Sequence, residues 1–311
     1  MIESALPAAN RPARLGGDPV TRQTRAYVLA LAAVLCWSTV ASAFKLTLRH
    51  TDPLAMLLWS SLASTLFLFA VRFARGIGRT RPSLAEGWKL SAVNGFLNPF
   101  LYYAVLFRAY DVLPAQEAQP LNYTWPIMVV LLSAPMLGQK IRPLGLVAIL
   151  VSFAGVLIIS TRGDVLGLRF TNGPGAALAV GSSVIWALYW IRNMKDRREP
   201  VTKLAMNFLF GTIYIALLHA GLGRWPDAGG GMALAGCAYI GLFEMGFAFI
   251  LWLNAMSLSE TSAKVSNLVF LSPFISLLFI RLIVGETIFP SSILGLTVIV
   301  LGIGIQKRCD G

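Results

Sequence analysis

Apolar stretches of about twenty residues, free of charged side chains, recur along the whole chain. They fall at 26–44, 54–71, 90–107, 118–139, 143–161, 170–191, 204–223, 265–280 and 287–306. One more, 228–259, is broken only by Glu244. A bilayer's hydrocarbon core takes about 20 helical residues to cross, so the pattern predicts an all-α integral membrane protein of ten transmembrane helices. The longest polar connection, 72–89, leaves no room for a soluble domain. Pro12, Gly16, Gly17 and Pro19 mark residues 1–24 as a flexible cytoplasmic tail. The first span follows an Arg-bearing tail, as a signal peptide would. Its apolar stretch is too long for one and no small-residue cleavage pattern follows, so the span is expected to be retained.

Composition agrees with this pattern. Hydrophobic residues make up 56% of the 311 residues and charged residues only 13%, against roughly 25% in an average soluble protein. A formal charge of +12 would suit a polyanionic partner, but the placement of the basic residues argues otherwise. With the N-terminus inside, 19 of the 26 Lys and Arg fall on cytoplasmic segments and 7 outside, which is the bias that orients membrane helices. Both termini are therefore expected in the cytoplasm, and nucleic acid drops out as a partner. Cys36, Cys237 and Cys309 lie in or beside apolar runs, without the spacing of a disulfide framework or a zinc site.

The two halves of the chain align at an offset of 147. Pro126 then meets Pro273, Gly138 meets Gly285, Pro143 meets Pro290 and Gly155 meets Gly302, while Trp37 meets Trp186 at 149. The expected units are a first five-helix repeat over 25–161 and a second over 170–308. An odd number of helices makes the second repeat enter the membrane from the opposite side. That inverted-topology arrangement is typical of secondary transporters, which bind substrate near the midplane between the halves.

Several side chains inside the spans are candidates for lining a pathway. Pro126 and Pro273 interrupt helices four and nine at matching positions, either as gating hinges at a transport site or as packing kinks. Asn94, Asn98 and Tyr102 recur every fourth residue, on one face of a regular helix three. Glu244 is the one deeply placed acid, and a carboxylate at that depth must face a cavity or a partner. It reads as a contact for a substrate ammonium, a proton-coupling group or a hydrogen-bonded structural carboxyl. Trp37, Tyr123, Trp125, Trp186, Tyr189, Trp190 and Trp252 lie within spans beside Asn122, as core packing or as the wall of a cavity for a partly aromatic solute. Glu117 and Arg108 read as a pair across the 111–114 turn. Lys264 reads as an interfacial anchor. Gly295 and Gly302 mark a close helix-packing face.

No H-E-x-x-H, G-x-S-x-G or Walker A string occurs. His50 and His219 lack ligand-type neighbours. Neither an enzyme, nor a cofactor, nor a metal is expected.

At these residues the sequence resembles the drug/metabolite transporter superfamily, in its ten-helix branch of two EamA-type repeats. Within it the chain is most similar to the YddG-type aromatic amino acid exporters. The strings that carry the likeness are Cys36-Trp37-Ser38-Thr39, Glu117 with Asn122-Tyr123-x-Trp125-Pro126, Gly138-Gln139-Lys140, Trp186-Ala187-x-Tyr189, and Gly246-Phe247-Ala248 with Trp252. The resemblance implies outward transport of amino acids, aromatic ones included, across a bacterial inner membrane. It also implies a central cavity to which Trp37, Asn122, Tyr123, Trp125 and Trp186 contribute. Helix three, with Asn98-Pro99, departs from that pattern, as does the acid at 244. The expectation is thus a carrier working by alternating access on a small-molecule substrate in the lipid bilayer. Trp186, Tyr102 and Tyr123 would stack on the solute, and Asn94, Asn98 and Asn122 would bond its polar head. A monomer is the expectation. Export of another metabolite or a drug-like cation is the alternative, ahead of a passive channel or a membrane-embedded enzyme.

Overall fold

The computed structural model describes residues 19–76, 87–138, 143–167, 172–223, 225–259, 265 and 267–310. Most of the 1–24 tail, Gln139, Lys140 and Lys264 lie outside them. The described residues form helices and no strands. In order these are α1 (Pro19–Thr47), α2 (Pro53–Ala74), α3 (Trp88–Gly95), α4 (Tyr102–Val112), α5 (Ala115–Asn122), α6 (Trp125–Leu137), α7 (Pro143–Ser160) and α8 (Gly173–Lys195). They continue with α9 (Pro200–Gly221), α10 (Gly230–Tyr239), α11 (Ala248–Leu258), α12 (Leu271–Phe279) and α13 (Pro290–Asp310). π-helical turns at Phe96–Leu101 and Ile240–Phe247 join α3 to α4 and α10 to α11.

Helix starts follow from local chemistry. Pro53 and Pro200 stand in the first turns of α2 and α9, where a missing N–H costs nothing. The Asp52 carboxylate accepts from the Leu54 and Ala55 amides, and Glu199 from those of Val201 and Thr202. These groups satisfy helix-end donors that would otherwise be orphaned.

Seven helical segments among the described residues are long and apolar enough to cross a membrane, and two shorter apolar helices, Leu268–Val284 and Pro290–Ile305, follow. The burial pattern departs from that of a soluble protein, with large apolar side chains on the surface as well as in the core. Leu66, Leu150, Leu294 and Leu301 are exposed on the outside, while Ser60, Ser61, Ser64, Asn94, Asn98 and Asn207 are buried inside. Polar groups facing inward and leucines facing outward suit a multi-pass membrane protein.

Two expectations about helix continuity are revised. The 118–139 stretch is divided at Tyr123–Thr124 into α5 and α6, and Pro126 stands in the first turn of α6 rather than in a helix interior. Pro273 likewise falls in the first turn of α12, behind the 3-10 turn Asn267–Phe270. In helix three, Asn98 has φ −147° and ψ 120°, outside helical values. Asn94, Asn98 and Tyr102 therefore do not share the single face that unbroken periodicity predicts.

The contacts recur at the offset of 147. The Thr65 and Thr212 hydroxyls meet at 3.0 Å, joining α2 to α9. Ser152 Oγ donates to the Ile299 carbonyl at 3.3 Å, joining α7 to α13. A Cβ on Gly155 would come within 2.6 Å of the Gly295 carbonyl, and one on Gly302 within 2.8 Å of the Ala148 carbonyl. These are the same contact transposed between halves. Along α7 the numbering rises from Ala148 to Ile159 while the partners on α13 fall from Gly302 to Gly295, so these two matched helices run antiparallel. Elsewhere α1 packs on α11 and α12, as α8 packs on α4, α5 and α6.

Candidate functional site

Where α1, α4, α5, α6, α8 and α11 converge they enclose a cavity of about 90 Å³. Its wall includes Trp37, Tyr102, Gln119, Asn122, Tyr123, Trp125, Trp186, Glu244, Phe249 and Val269. Both halves of the chain contribute. The division of helix four places Asn122, Tyr123 and Trp125 here, and hydrogen bonds to α8 hold it. Asn122 Nδ2 donates to Ser182 Oγ at 2.8 Å, and the Thr124 and Ser183 hydroxyls meet at 3.0 Å. Between the halves, Ser38 Oγ of α1 donates to Ser272 Oγ at 3.4 Å, at the start of α12.

The aromatic part of the wall is continuous. The Trp186 ring lies 4.8 Å from Tyr102, 5.8 Å from Phe249 and 6.2 Å, stacked, from Trp190. Trp37 sits 6.0 Å edge-on to Phe249. Such separations are those of favourable aromatic pairs. The polar part is small. Tyr102 Oη donates to Asn122 Oδ1 at 3.3 Å, and Tyr103 Oη to Glu244 Oε1 at 3.1 Å. The other Glu244 oxygen, Oε2, is buried without a hydrogen-bond partner, as is Gln119 Oε1. Glu244 itself lies in the π-helical turn between α10 and α11.

Of the residues expected from the sequence, Trp37, Tyr102, Asn122, Tyr123, Trp125, Trp186 and Glu244 come together on this wall. Asn94, Asn98, Tyr189 and Trp252 are not among its lining residues. Asn94 Oδ1 instead accepts from Arg192 Nε at 3.3 Å. Fully buried Tyr189 Oη accepts from Asn207 Nδ2 at 3.5 Å. Trp252 packs behind Trp37, with ring centres 5.3 Å apart. For Asn94 and Asn98 the cause is the irregular backbone at Asn98, which takes Asn94 off the face that Tyr102 presents, whereas Tyr189 and Trp252 lie on other helices, behind Trp186 and Trp37. Gln119 and Phe249 line the cavity without having been expected there. Gln119 lies one helical turn before Asn122, a spacing that could have pointed to it, whereas Phe249 is indistinguishable from any apolar residue of a span.

At one end the two halves are tied by a compact polar lock. Glu286 accepts from the Ala115 amide at 2.9 Å and the Gln116 amide at 3.3 Å, at the start of α5. The Gln116 side chain donates to the Thr287 carbonyl at 2.7 Å and accepts from the Phe289 amide at 2.7 Å and from Ser292 Oγ at 3.2 Å. Arg162 Nε donates to Glu117 at 2.8 Å, with its guanidinium 4.6 Å from the Phe289 ring centre. This corrects the expected Glu117–Arg108 pair, because Arg108 turns to Asp111 one turn along its own helix.

No group of three or more His, Cys, Asp and Glu is placed to hold a metal among the described residues. The arrangement offers stacking surfaces and hydrogen-bond acceptors, which are means of binding a solute.

Membrane-length apolar helices and a polar-aromatic cavity between the halves define a multi-pass membrane protein. The chain belongs to the EamA-like transporter family, whose pattern matches residues 24–161 and again 173–305. It is similar to the aromatic amino acid exporter YddG of Ancylobacter novellus, at 28% identity over 74% of this chain and 79% of that one. The uncharacterized transporter YvbV of Bacillus subtilis is 25% identical, over 90% and 91% of the two chains. A solved crystal structure at 24% identity, covering 93% of this chain and 99% of its own, shares the fold with a TM-score of 0.65.

Proposed function

We propose that the protein is a secondary transporter that exports amino acids, aromatic ones included, across a bacterial inner membrane. It works by alternating access through the cavity between its two repeats. In this reading ten spans form two inverted five-helix repeats, 25–161 and 170–308, with both termini in the cytoplasm. The antiparallel run of α7 against α13, with contacts transposed at an offset of 147, supports the inversion.

The observation that carries the function is the cavity wall. Trp37, Trp186, Tyr102 and Tyr123 surround it together with Asn122 and the carboxylate of Glu244. Rings supply area and quadrupole for an aromatic side chain, and the few polar groups orient its head. In this assignment Trp186, Tyr102 and Tyr123 stack on the solute and Asn122 and Glu244 face its polar end. Tyr189 and Trp252 support the wall from behind, against Trp186 and Trp37. The similarity to an aromatic amino acid exporter points the same way.

At about 90 Å³ the cavity is smaller than the roughly 300–1,000 Å³ of a typical ligand site. Taking up an aromatic amino acid requires the cavity to widen, and the chain breaks before Pro126 and Pro273 are where hinges fit. Export of a drug-like cation is the second reading, favoured by the lone carboxylate on the wall.

The test is flux of labelled phenylalanine in proteoliposomes. Trp186→Ala should lower it about tenfold, the equivalent of roughly 1.4 kcal/mol, with insertion and monodispersity unchanged. Equal flux in both proteins would remove Trp186 from the site. A saturable rate with trans-stimulation marks a carrier, and a non-saturating rate would mark a channel.

A further inference from the structure

The cavity wall carries one acidic side chain, Glu244, and none of its lining residues is Lys, Arg or His. Its two buried polar atoms that lack partners are both acceptor oxygens, Glu244 Oε2 and Gln119 Oε1. The donors on the wall are neutral ones, the amides of Gln119 and Asn122, the Trp indoles and the Tyr hydroxyls, and of these Asn122 Nδ2 already bonds Ser182 Oγ. A protonated amine has N–H donors and no acceptor, whereas a carboxylate only accepts. The wall is therefore complementary to the first and offers the second no opposing charge. The rings strengthen this preference, since a cation over the face of Trp or Tyr is attracted by the ring quadrupole. An acceptor left buried and unpaired costs free energy until a donor reaches it, so an incoming ammonium gains from both Glu244 Oε2 and the surrounding faces.

We propose that this cavity selects its substrate by a protonated amine beside an aromatic ring and places no charge requirement on a carboxylate. Aromatic primary amines and amino acid amides would then be substrates alongside the amino acids themselves, and aromatic acids lacking the amine would be excluded. The proposal rests on the cavity being the transport site, as argued above, and deepens it by naming the recognised group.

The test uses the wild-type protein, so that no variant has to fold. Purified transporter is titrated by calorimetry with phenylalanine, phenethylamine, phenylalaninamide and 3-phenylpropionate, and each is then used to compete for labelled phenylalanine and labelled phenethylamine in proteoliposomes. Phenethylamine and phenylalaninamide should bind within about threefold of phenylalanine or more tightly. The acid should bind at least about tenfold more weakly, as a site built around a hydrogen-bonding group rejects the analogue lacking it. Binding of 3-phenylpropionate on a par with phenylalanine would overturn the proposal, and so would failure of phenethylamine to bind. Transport of phenethylamine without any transport of phenylalanine would sink the amino acid reading and leave the amine rule standing. Transport of phenylalanine that phenethylamine does not inhibit would do the reverse. Neither ligand binding would overturn both. As a second measurement, Glu244→Gln should bring the affinities for phenethylamine and 3-phenylpropionate to within about threefold of each other, if the variant elutes as the wild type does.

Discussion

At the scale of single residues, the membrane setting turns each buried polar atom into a question of partners. Asp196, in the short connection between α8 and α9, is 6% exposed and answers it fully. Its carboxylate accepts from Arg198 Nη2 at 2.7 Å, Arg198 Nε at 3.0 Å and the Arg198 amide at 3.1 Å. Burial pushes its pKa up, but the Arg198 hydrogen bonds, with the Arg198 and Lys203 charges, outweigh that and hold it below the usual carboxylate value. A depressed folded-state pKa means that the ionised form stabilises the fold above the unfolded value, near 3.9, and that this is lost as pH falls through the folded one. Asp196→Asn should therefore lower the melting temperature at pH 7, and the difference from wild type should shrink below about pH 4. A gap of the same size at both pH values would show that the charge is not what matters. Glu244 is the contrasting case, with one oxygen bound by Tyr103 and the other buried without a hydrogen-bond partner.

At the scale of elements, function depends on where helices are broken and where they touch. The close contact of α7 and α13 is made possible by missing side chains. A Cβ on Gly155 would lie 2.6 Å from the Gly295 carbonyl and 2.9 Å from the Ile299 amide, both backbone atoms that cannot yield. Gly155→Ala should therefore separate the helices and destabilise the protein by about 1–3 kcal/mol, read as a lower melting temperature in detergent. Gly181, whose added Cβ would meet nothing within 4 Å, serves as the control for Gly→Ala. The lock at the start of α5 is the element that alternating access would have to undo. Removing the Glu286 carboxylate leaves the Ala115 and Gln116 amides without their acceptor, so Glu286→Ala should raise the labelling rate of a cysteine placed at Val40, on the cavity wall, from that end. An unchanged rate would mean that the lock does not gate access.

At the scale of the whole molecule, the contacts of α7 with α13 are transposed between the halves at an offset of 147, which supports the proposed inverted pair. An inverted pair with both termini inside predicts that green fluorescent protein fused after Gly311 fluoresces in cells and that alkaline phosphatase fused there stays inactive. The opposite result would refute the orientation read from the 19-to-7 distribution of basic residues.

How much of this was legible beforehand follows from what each feature depends on. The apolar runs and the matched Pro and Gly positions could be read directly, because membrane helices must satisfy their backbone internally whatever their neighbours. Trp37, Trp186, Asn122 and Glu244 could be read as candidates, because polar and large aromatic groups inside spans are costly or unusual enough to stand out. Asn94 and Asn98 were misplaced because regular periodicity assumes an unbroken helix, and the backbone leaves helical values at Asn98. Phe249 was missed because an apolar residue facing a cavity is written like one facing lipid. Chain composition and periodicity by themselves determined the helical membrane class and the twofold repetition, since both follow from local hydrophobicity and spacing. Only the tertiary structure decided which polar and aromatic side chains share one cavity, which oxygens there remain unpaired, and that Arg162 rather than Arg108 meets Glu117. Those choices are made by contacts between helices distant in sequence.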